Sequence, residues 1–215
     1  MLLQRALLLL VLLPGMAILH AHAEPAPQGA RTLELHGRIA MTRLEPHVSY
    51  RCDADGHLTL AEVERRGLQP LPHPAISFGH RTDTCWFHFA IRNRSAEEQA
   101  LLLRINNPVL DHIELFAPGD KANSHVQLGD EHPFRMRPVQ TRAFTIPLSL
   151  AADSRQDFYL RVRSSSSINL PLQIGSPPDF IGDHELEEWL HGAGFGVAGG
   201  ILIYHLFLWL AVRER

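Results

Sequence analysis

Residues 190–212 are 23 consecutive positions without an Asp, Glu, Lys or Arg. As a helix rising 1.5 Å per residue such a run is roughly 35 Å long, enough to cross the hydrocarbon of a bilayer. A buried core helix is the other use of so apolar a segment, but two His and five Gly within it would make a poor soluble helix, whereas Gly is well tolerated between membrane helices. Asp183, Glu185, Glu187 and Glu188 precede the run and Arg213 and Arg215 follow it, which predicts that the Arg-bearing end faces the cytoplasm. Gly192, Gly196 and Gly200 recur every four residues and form a flat groove for close helix packing, with further helices of the same chain or with a homodimer partner. Ending three residues beyond the run, the chain reads as a fragment or as a chain whose further helices are missing.

At the other end, Arg5 precedes an apolar run over residues 6–13, Pro14-Gly15 breaks it, and Ala21-His22-Ala23 carries the small-x-small pattern of a signal-peptidase site. A cleaved signal over residues 1–23 is expected, the alternative being an uncleaved anchor. The predicted organisation is therefore 1–23 signal, 24–183 exported domain, and 184–215 membrane helix with a short cytoplasmic end.

Within the exported part the hydrophobic period is two, the mark of half-buried strands. Phe144, Ile146, Leu148 and Leu150 alternate, as do Phe158, Leu160 and Val162, and Ile168, Leu170, Leu172 and Ile174. Leu33 and Leu35, then Phe87, Phe89 and Ile91, and residues 101–105 and 113–116, add shorter runs, separated by Asn, Gly, Pro and Asp turn residues. Only residues 60–66 read as a helix, with Thr59 as its N-cap. Many short strands without intervening helices predict an all-β domain, a jelly-roll β-sandwich, ahead of the single transmembrane helix.

The chemistry-bearing motifs dissolve on inspection. Residues 51–62 align with a calcium loop at several positions, but Arg51 stands where the first carboxylate belongs, so the segment reads as a turn leading into a short helix. Gly194-Phe195-Gly196-Val197-Ala198-Gly199 matches a dinucleotide fingerprint yet lies inside the apolar run. Within residues 24–215 no paired His motif or nucleophile elbow is present, so no catalytic residue, cofactor or metal site is expected. A net charge of -3, from 20 basic and 23 acidic side chains, offers no footprint for nucleic acid. Cys52 and Cys85 are the two cysteines, and in an oxidising compartment they either form a disulfide or remain as buried thiols.

An ordered set of segments carries a resemblance. Leu44-Glu45-Pro46-His47, residues 55–63, Phe78-Gly79, residues 85–93, residues 107–116, Gly129-Asp130, Pro133-Phe134 with Arg137, Pro147-Leu148 and Tyr159-Leu160-Arg161-Val162 resemble the second type of extracellular domain in bacterial seven-transmembrane receptors with diverse intracellular signalling modules, 7TMR-DISM. Residues 192–200 and 204–210 look like the start of the first receptor helix, while His205 replaces the usual Asn and Leu71 a common aromatic. The resemblance implies a periplasmic jelly roll of carbohydrate-binding type in the inner membrane of a bacterium, seven membrane helices, and a cytoplasmic output module such as a diguanylate cyclase or histidine kinase.

Two functions follow: a sensor of a small polar or carbohydrate-like ligand, or an orphan membrane-tethered carbohydrate-binding or carbohydrate-active module. The expected ligand contacts are Arg137 and Arg161, with Trp86, Asn93 and Asp130 near by. Arg161 stands between Leu160 and Val162, so its guanidinium emerges on the face opposite the core. Arg137 follows the Gly129-Asp130 turn and matches the family pattern. A guanidinium fork suits carboxylates, phosphates or sugar hydroxyls. The competing reading is that Arg161 pairs with a carboxylate across the sheet and that Trp86 is core.

Overall fold

The computed structural model describes residues 32–119 and 124–213, with residues 181–188, 191 and 213 described by backbone alone. The expected signal segment and its cleavage site, and Arg215, lie outside the described residues. In chain order the elements are β1 (Leu33–Leu35), β2 (Thr42–Arg43), β3 (Ser49–Asp53), α1 (Leu60–Arg66), β4 (Gln69–Pro70), β5 (Ser77–His80), β6 (Thr84–Asn93), β7 (Gln99–Ile105), β8 (His112–Phe116), β9 (His125–Leu128), β10 (Phe144–Leu150), β11 (Arg155–Arg163), β12 (Ser167–Asn169), β13 (Leu172–Gly175) and α2 (Pro177–Arg213).

Seven strands form the larger sheet in the order β4-β3-β6-β11-β8-β9, with β1 joining β6 beyond β3, and four form the smaller, β10-β7-β13-β2. Among the described residues only β1 runs parallel to its neighbour; the other pairs are antiparallel. The molecule is thus an antiparallel β-sandwich. Its period-two sequence explains the layering. Phe87, Phe89, Ile91, Phe158, Leu160 and Val162 face inward from the large sheet, and Leu101, Leu103, Ile105, Phe144, Ile146 and Leu148 from the small one, joining one buried cluster. Each such side chain contributes about 1.5–3 kcal/mol of transfer free energy, so this interior dominates stability.

One sequence expectation needs correction. The alternation at residues 168–174 is not one strand: β12 pairs with β5 in a separate ribbon, and β13 pairs with β7 and β2. Pro171 lies between them and has no N–H for a ladder, while its carbonyl accepts from Asn106. The helix that follows, α2, runs through positions 183 and 184. That helix begins at Pro177, directly after β13 and Ser176, whose carbonyl accepts from the amides of Asp179 and Phe180. Proline is suited to a helix start, where an N–H has no partner to lose.

A segment legible only as turn and short helix contains a strand as well. In β3, Arg51 donates to the carbonyls of Gly67 (2.5 Å) and Arg66 (3.1 Å) at the far end of α1. Asp53 accepts from the amides of Leu58 (2.7 Å) and Asp55 (3.3 Å), closing the turn. Thr59 and Glu62 then form a reciprocal capping box at the start of α1. Val63 on that helix packs with Trp86 and Tyr159, making a small second core on the outer face of the large sheet.

The first turn of α2 is tied to the sandwich. Arg38 clasps Asp179 through Nε (2.7 Å) and Nη2 (2.9 Å), the Ile39 amide donates to Ser176 Oγ, and buried Phe180 lies 5.5 Å from the Arg104 guanidinium. Farther along, Gly192–Val212 is long and apolar enough to cross a membrane.

Candidate ligand-binding site

Arg161 belongs to a row of residues in register across the large sheet: Arg51, Trp86, Arg161, Glu114 and Gln127. Alternation places all five on the outer face. Glu114 is the direct cross-strand partner of Arg161 and accepts its Nη1 at 2.9 Å; Nη2 donates to the Gly56 carbonyl, also at 2.9 Å. Gly56 has φ +67, and a Cβ there would meet Thr84 Oγ1 at 3.0 Å, so glycine permits the turn that aims this carbonyl. The guanidinium lies 5.9 Å over the Trp86 ring.

Glu114 also pairs with His125 Nε2 at 3.2 Å, and the His125 ring stacks on Phe116, centroids 4.5 Å apart. In the next row His88 meets Asp157 at 2.8 Å and stands 4.7 Å from the Tyr159 ring. Burial, followed by the nearby Glu64 and Asp157 carboxylates, pushes the Tyr159 hydroxyl up to about 12. Trp86 is 2% exposed beneath α1. This cluster is therefore a braced sheet face in which the charges are already matched.

Arg137 is placed differently. The loop from Gly129 runs against the one ending at Asp111: the Asp130 amide donates to the Leu110 carbonyl at 2.9 Å, and a Cβ on Gly129 would fall 1.8 Å from the Asp111 carbonyl oxygen. Only glycine fits there. A 3-10 turn over Phe134–Met136 leads to Arg137, whose Nη1 donates to the carbonyls of Thr141 (2.9 Å) and Arg142 (2.8 Å). Its guanidinium sits 4.4 Å from the Phe144 ring and 4.9 Å from that of Phe134. Arg137 Nε, like that of Arg161, is buried without a hydrogen-bond partner, but unlike Arg161 it has no carboxylate of the described residues within ion-pair distance. Burial pulls its pKa down while Asp130 opposes that shift; a guanidinium nonetheless stays charged.

The structure thus brings Trp86 and Arg161 together, sets Arg137 and Asp130 on one loop, and puts Asn93 elsewhere. Asn93 lies at the opposite end of β6 from Trp86, fully buried; its Nδ2 donates to the carbonyls of Glu97, Leu150 and Ala151, and its Oδ1 accepts from the Ser95 amide and hydroxyl. That is a loop bracket with its polar atoms spent. Cys52 and Cys85 are cross-strand partners joined as a disulfide, with Cα atoms 4.0 Å apart. The Asp83 carboxylate lies near both sulfurs and is clasped by Arg81. Space is open beside Gly192, Gly196 and Gly200. Sequence reasoning missed Glu114, Phe134, Thr141 and Phe144. The pointer to the loop was Phe134 and Met136, two apolar residues interleaved with Arg135 and Arg137 and lying outside the strand runs, between two turn-rich stretches.

No curated protein matches the sequence. Among solved structures, the native structure of a family 35 carbohydrate binding module from Clostridium thermocellum aligns at 5% identity, covering 64% of this chain and 99% of that one, with a TM-score of 0.28. The family model described as 7TMR-DISM extracellular 2 matches residues 45–176, from the 3-10 turn before β3 to the residue before α2. That span holds both arginine clusters and ends where the apolar helix begins, and the chain belongs to the 7TMR-DISM extracellular 2 family of receptor sensor domains.

Proposed function

We propose that this domain is the periplasmic input module of a bacterial inner-membrane receptor, that it binds a small polar or carbohydrate-like ligand through Arg137, with Asp130 beside it, and that binding biases the packing of α2 against further membrane helices. The unpaired Arg137 carries the reading. A half-buried guanidinium anchored by two carbonyls and flanked by two rings has a fixed position, and its remaining donors await an acceptor. Loops on a rigid scaffold are the usual seat of recognition. Arg161 and Trp86 serve in this reading as the braced wall of the domain. Repeated crossing between the two sheets, as in β6 to β7 to β8 and β9 to β10 to β11, supports a jelly roll. The direct join of β13 to α2, the Arg38–Asp179 clasp and buried Phe180 supply the connection through which occupancy reaches the helix. Gly192, Gly196 and Gly200 present a flat seam for a neighbouring helix.

The test is a thermal-shift screen of the whole chain against sugars, organic acids and amino acids. A ligand at about 100 times its Kd should add about 2.7 kcal/mol, a rise of roughly 5–10 °C for a domain this size. Arg137→Ala should abolish the shift and Arg161→Ala should keep it while lowering the starting midpoint. A shift that survives Arg137→Ala places the site elsewhere.

A further inference from the structure

We infer that the Arg137 site takes an amphipathic anion, a carboxylate carried on an apolar, ring-bearing body; this rests on the reading of Arg137 given above. Three observations converge on it. The first is how two other arginines spend the Nε and Nη2 edge. Arg38 uses that edge to clasp Asp179 and Arg81 uses it to clasp Asp83. In Arg137 the two carbonyls take Nη1 alone, leaving the same edge without an acceptor. The complementary group is a carboxylate, the planar acceptor that matches this fork. Arg135 and Arg142 add positive charge on the same loop, whereas of its two acids Glu131 is tied to His112 at 2.9 Å, leaving Asp130 as the counterweight.

The second observation is apolar. Outside α2, the large hydrophobic side chains exposed among the described residues are Val109 (56%), Phe134 (51%) and Met136 (60%). All three lie on the two loops that the Asp130–Leu110 hydrogen bond and the Gly129–Asp111 contact hold together. Phe134 has one face toward the guanidinium and half its surface in solvent. An apolar body bonded to the carboxylate would cover these side chains, and their burial would add to the charge interaction.

The third observation sets this class against a sugar. A polyol needs several free donors and acceptors, and the hydroxyl of Thr141, whose carbonyl Arg137 binds, is occupied: Thr141 Oγ1 donates to the Ala143 carbonyl and shares a hydrogen bond with Thr145 Oγ1, on a buried residue. One fork with an apolar surround fits a single anionic head better than a ring of hydroxyls.

The experiment is isothermal titration of the whole chain in nanodiscs with four probes: phenylacetate, its neutral analogue 2-phenylethanol, acetate and glucose. Phenylacetate should bind at least about tenfold more tightly than each of the other three, and Arg137→Gln should weaken it by about tenfold or more. Phe134→Ser should weaken phenylacetate several-fold and leave acetate unchanged. Equal binding of 2-phenylethanol or of acetate would overturn the amphipathic class, as would silence from all four probes at about 10 mM. Glucose binding that depends on Arg137, without phenylacetate binding, would overturn the class while keeping Arg137 as the ligand contact. Phenylacetate binding that Arg137→Gln leaves intact would overturn both.

Discussion

Arg161 and Arg137 both lay a guanidinium against aromatic rings, 5.9 Å over Trp86 in one case and 4.4 Å from Phe144 in the other, yet their polar edges are spent differently. On the sheet, antiparallel register delivers Glu114 directly opposite Arg161, and the turn at Gly56 supplies a carbonyl to the second nitrogen. At the loop end no ladder delivers a partner, and two carbonyls from the following turn occupy one nitrogen only. A sheet matches its charges as a by-product of pairing. A loop does not, and so it can hold a cation in readiness. The sheet cluster should therefore matter for stability and the loop cluster for binding.

The largest effect should come from beneath the sheet cluster. Cys52 and Cys85 are neighbours of Arg51 and Trp86 in the same ladder, and their bond closes a separation of 33 residues. On the chain-entropy account, opening such a loop costs about 3–4 kcal/mol. Urea unfolding with and without reductant measures this, and coincident curves would show that the bond adds nothing. Ligand binding at Arg137 should survive reduction while the domain stays folded.

A smaller cost is expected from the ion pair itself. Because 31% of the Arg161 side chain and 22% of the Glu114 side chain stay exposed, Arg161→Ala should cost about 1–3 kcal/mol, below the 3–5 of a fully buried pair. Arg137→Ala, which breaks no ion pair, should cost under about 1 kcal/mol. A double-mutant cycle with Glu114→Ala isolates the Arg161 coupling. If Arg137→Ala proves the more destabilising of the two, the division of labour between the regions is wrong.

Much of the sheet region was legible beforehand, because its determinants are local. Leu160 and Val162 fix which way Arg161 points, and Thr59 with Glu62 marks the start of a helix at Leu60. Glu114 as partner was not legible, since that requires the register of β8 on β11, strands 47 residues apart at this pair. The role of Asn93 as a loop bracket was not legible either, since its polar atoms are engaged through the closure of the 95–99 and 150–154 loops around it. The break at Pro171 was present in the sequence, but the apolar alternation on either side outweighed it. The unpaired state of Arg137 is a fact about where carboxylates are not, and no local pattern encodes that.

The smallest expected effect concerns acid and probes the loop end. Hydrogen bonds from Ser165, through both side chain and backbone, hold the Asp111 carboxyl below its usual range, with a further bond from Ser164 and against the pull of burial. A carboxyl whose pKa is depressed on folding contributes stability that is present above its unfolded value of about 4 and is lost as pH falls through the lower folded value. Asp111 joins the 106–111 loop, which carries Val109, to the turn after β11, and its own carbonyl packs against Gly129 of the Arg137 loop. Between pH 5 and pH 3 the parent should therefore lose more stability than Asp111→Asn does, by a fraction of the Arg161 effect. Hydrogen exchange should report the loss first at residues 107–111 and 164–166, while the amides of β6 and β11 stay protected. Parallel losses in parent and variant, or exchange that rises in the sheet before the loops, would mean that the loop end is as firmly braced as the sheet, and the contrast between the two arginines would then be one of charge alone.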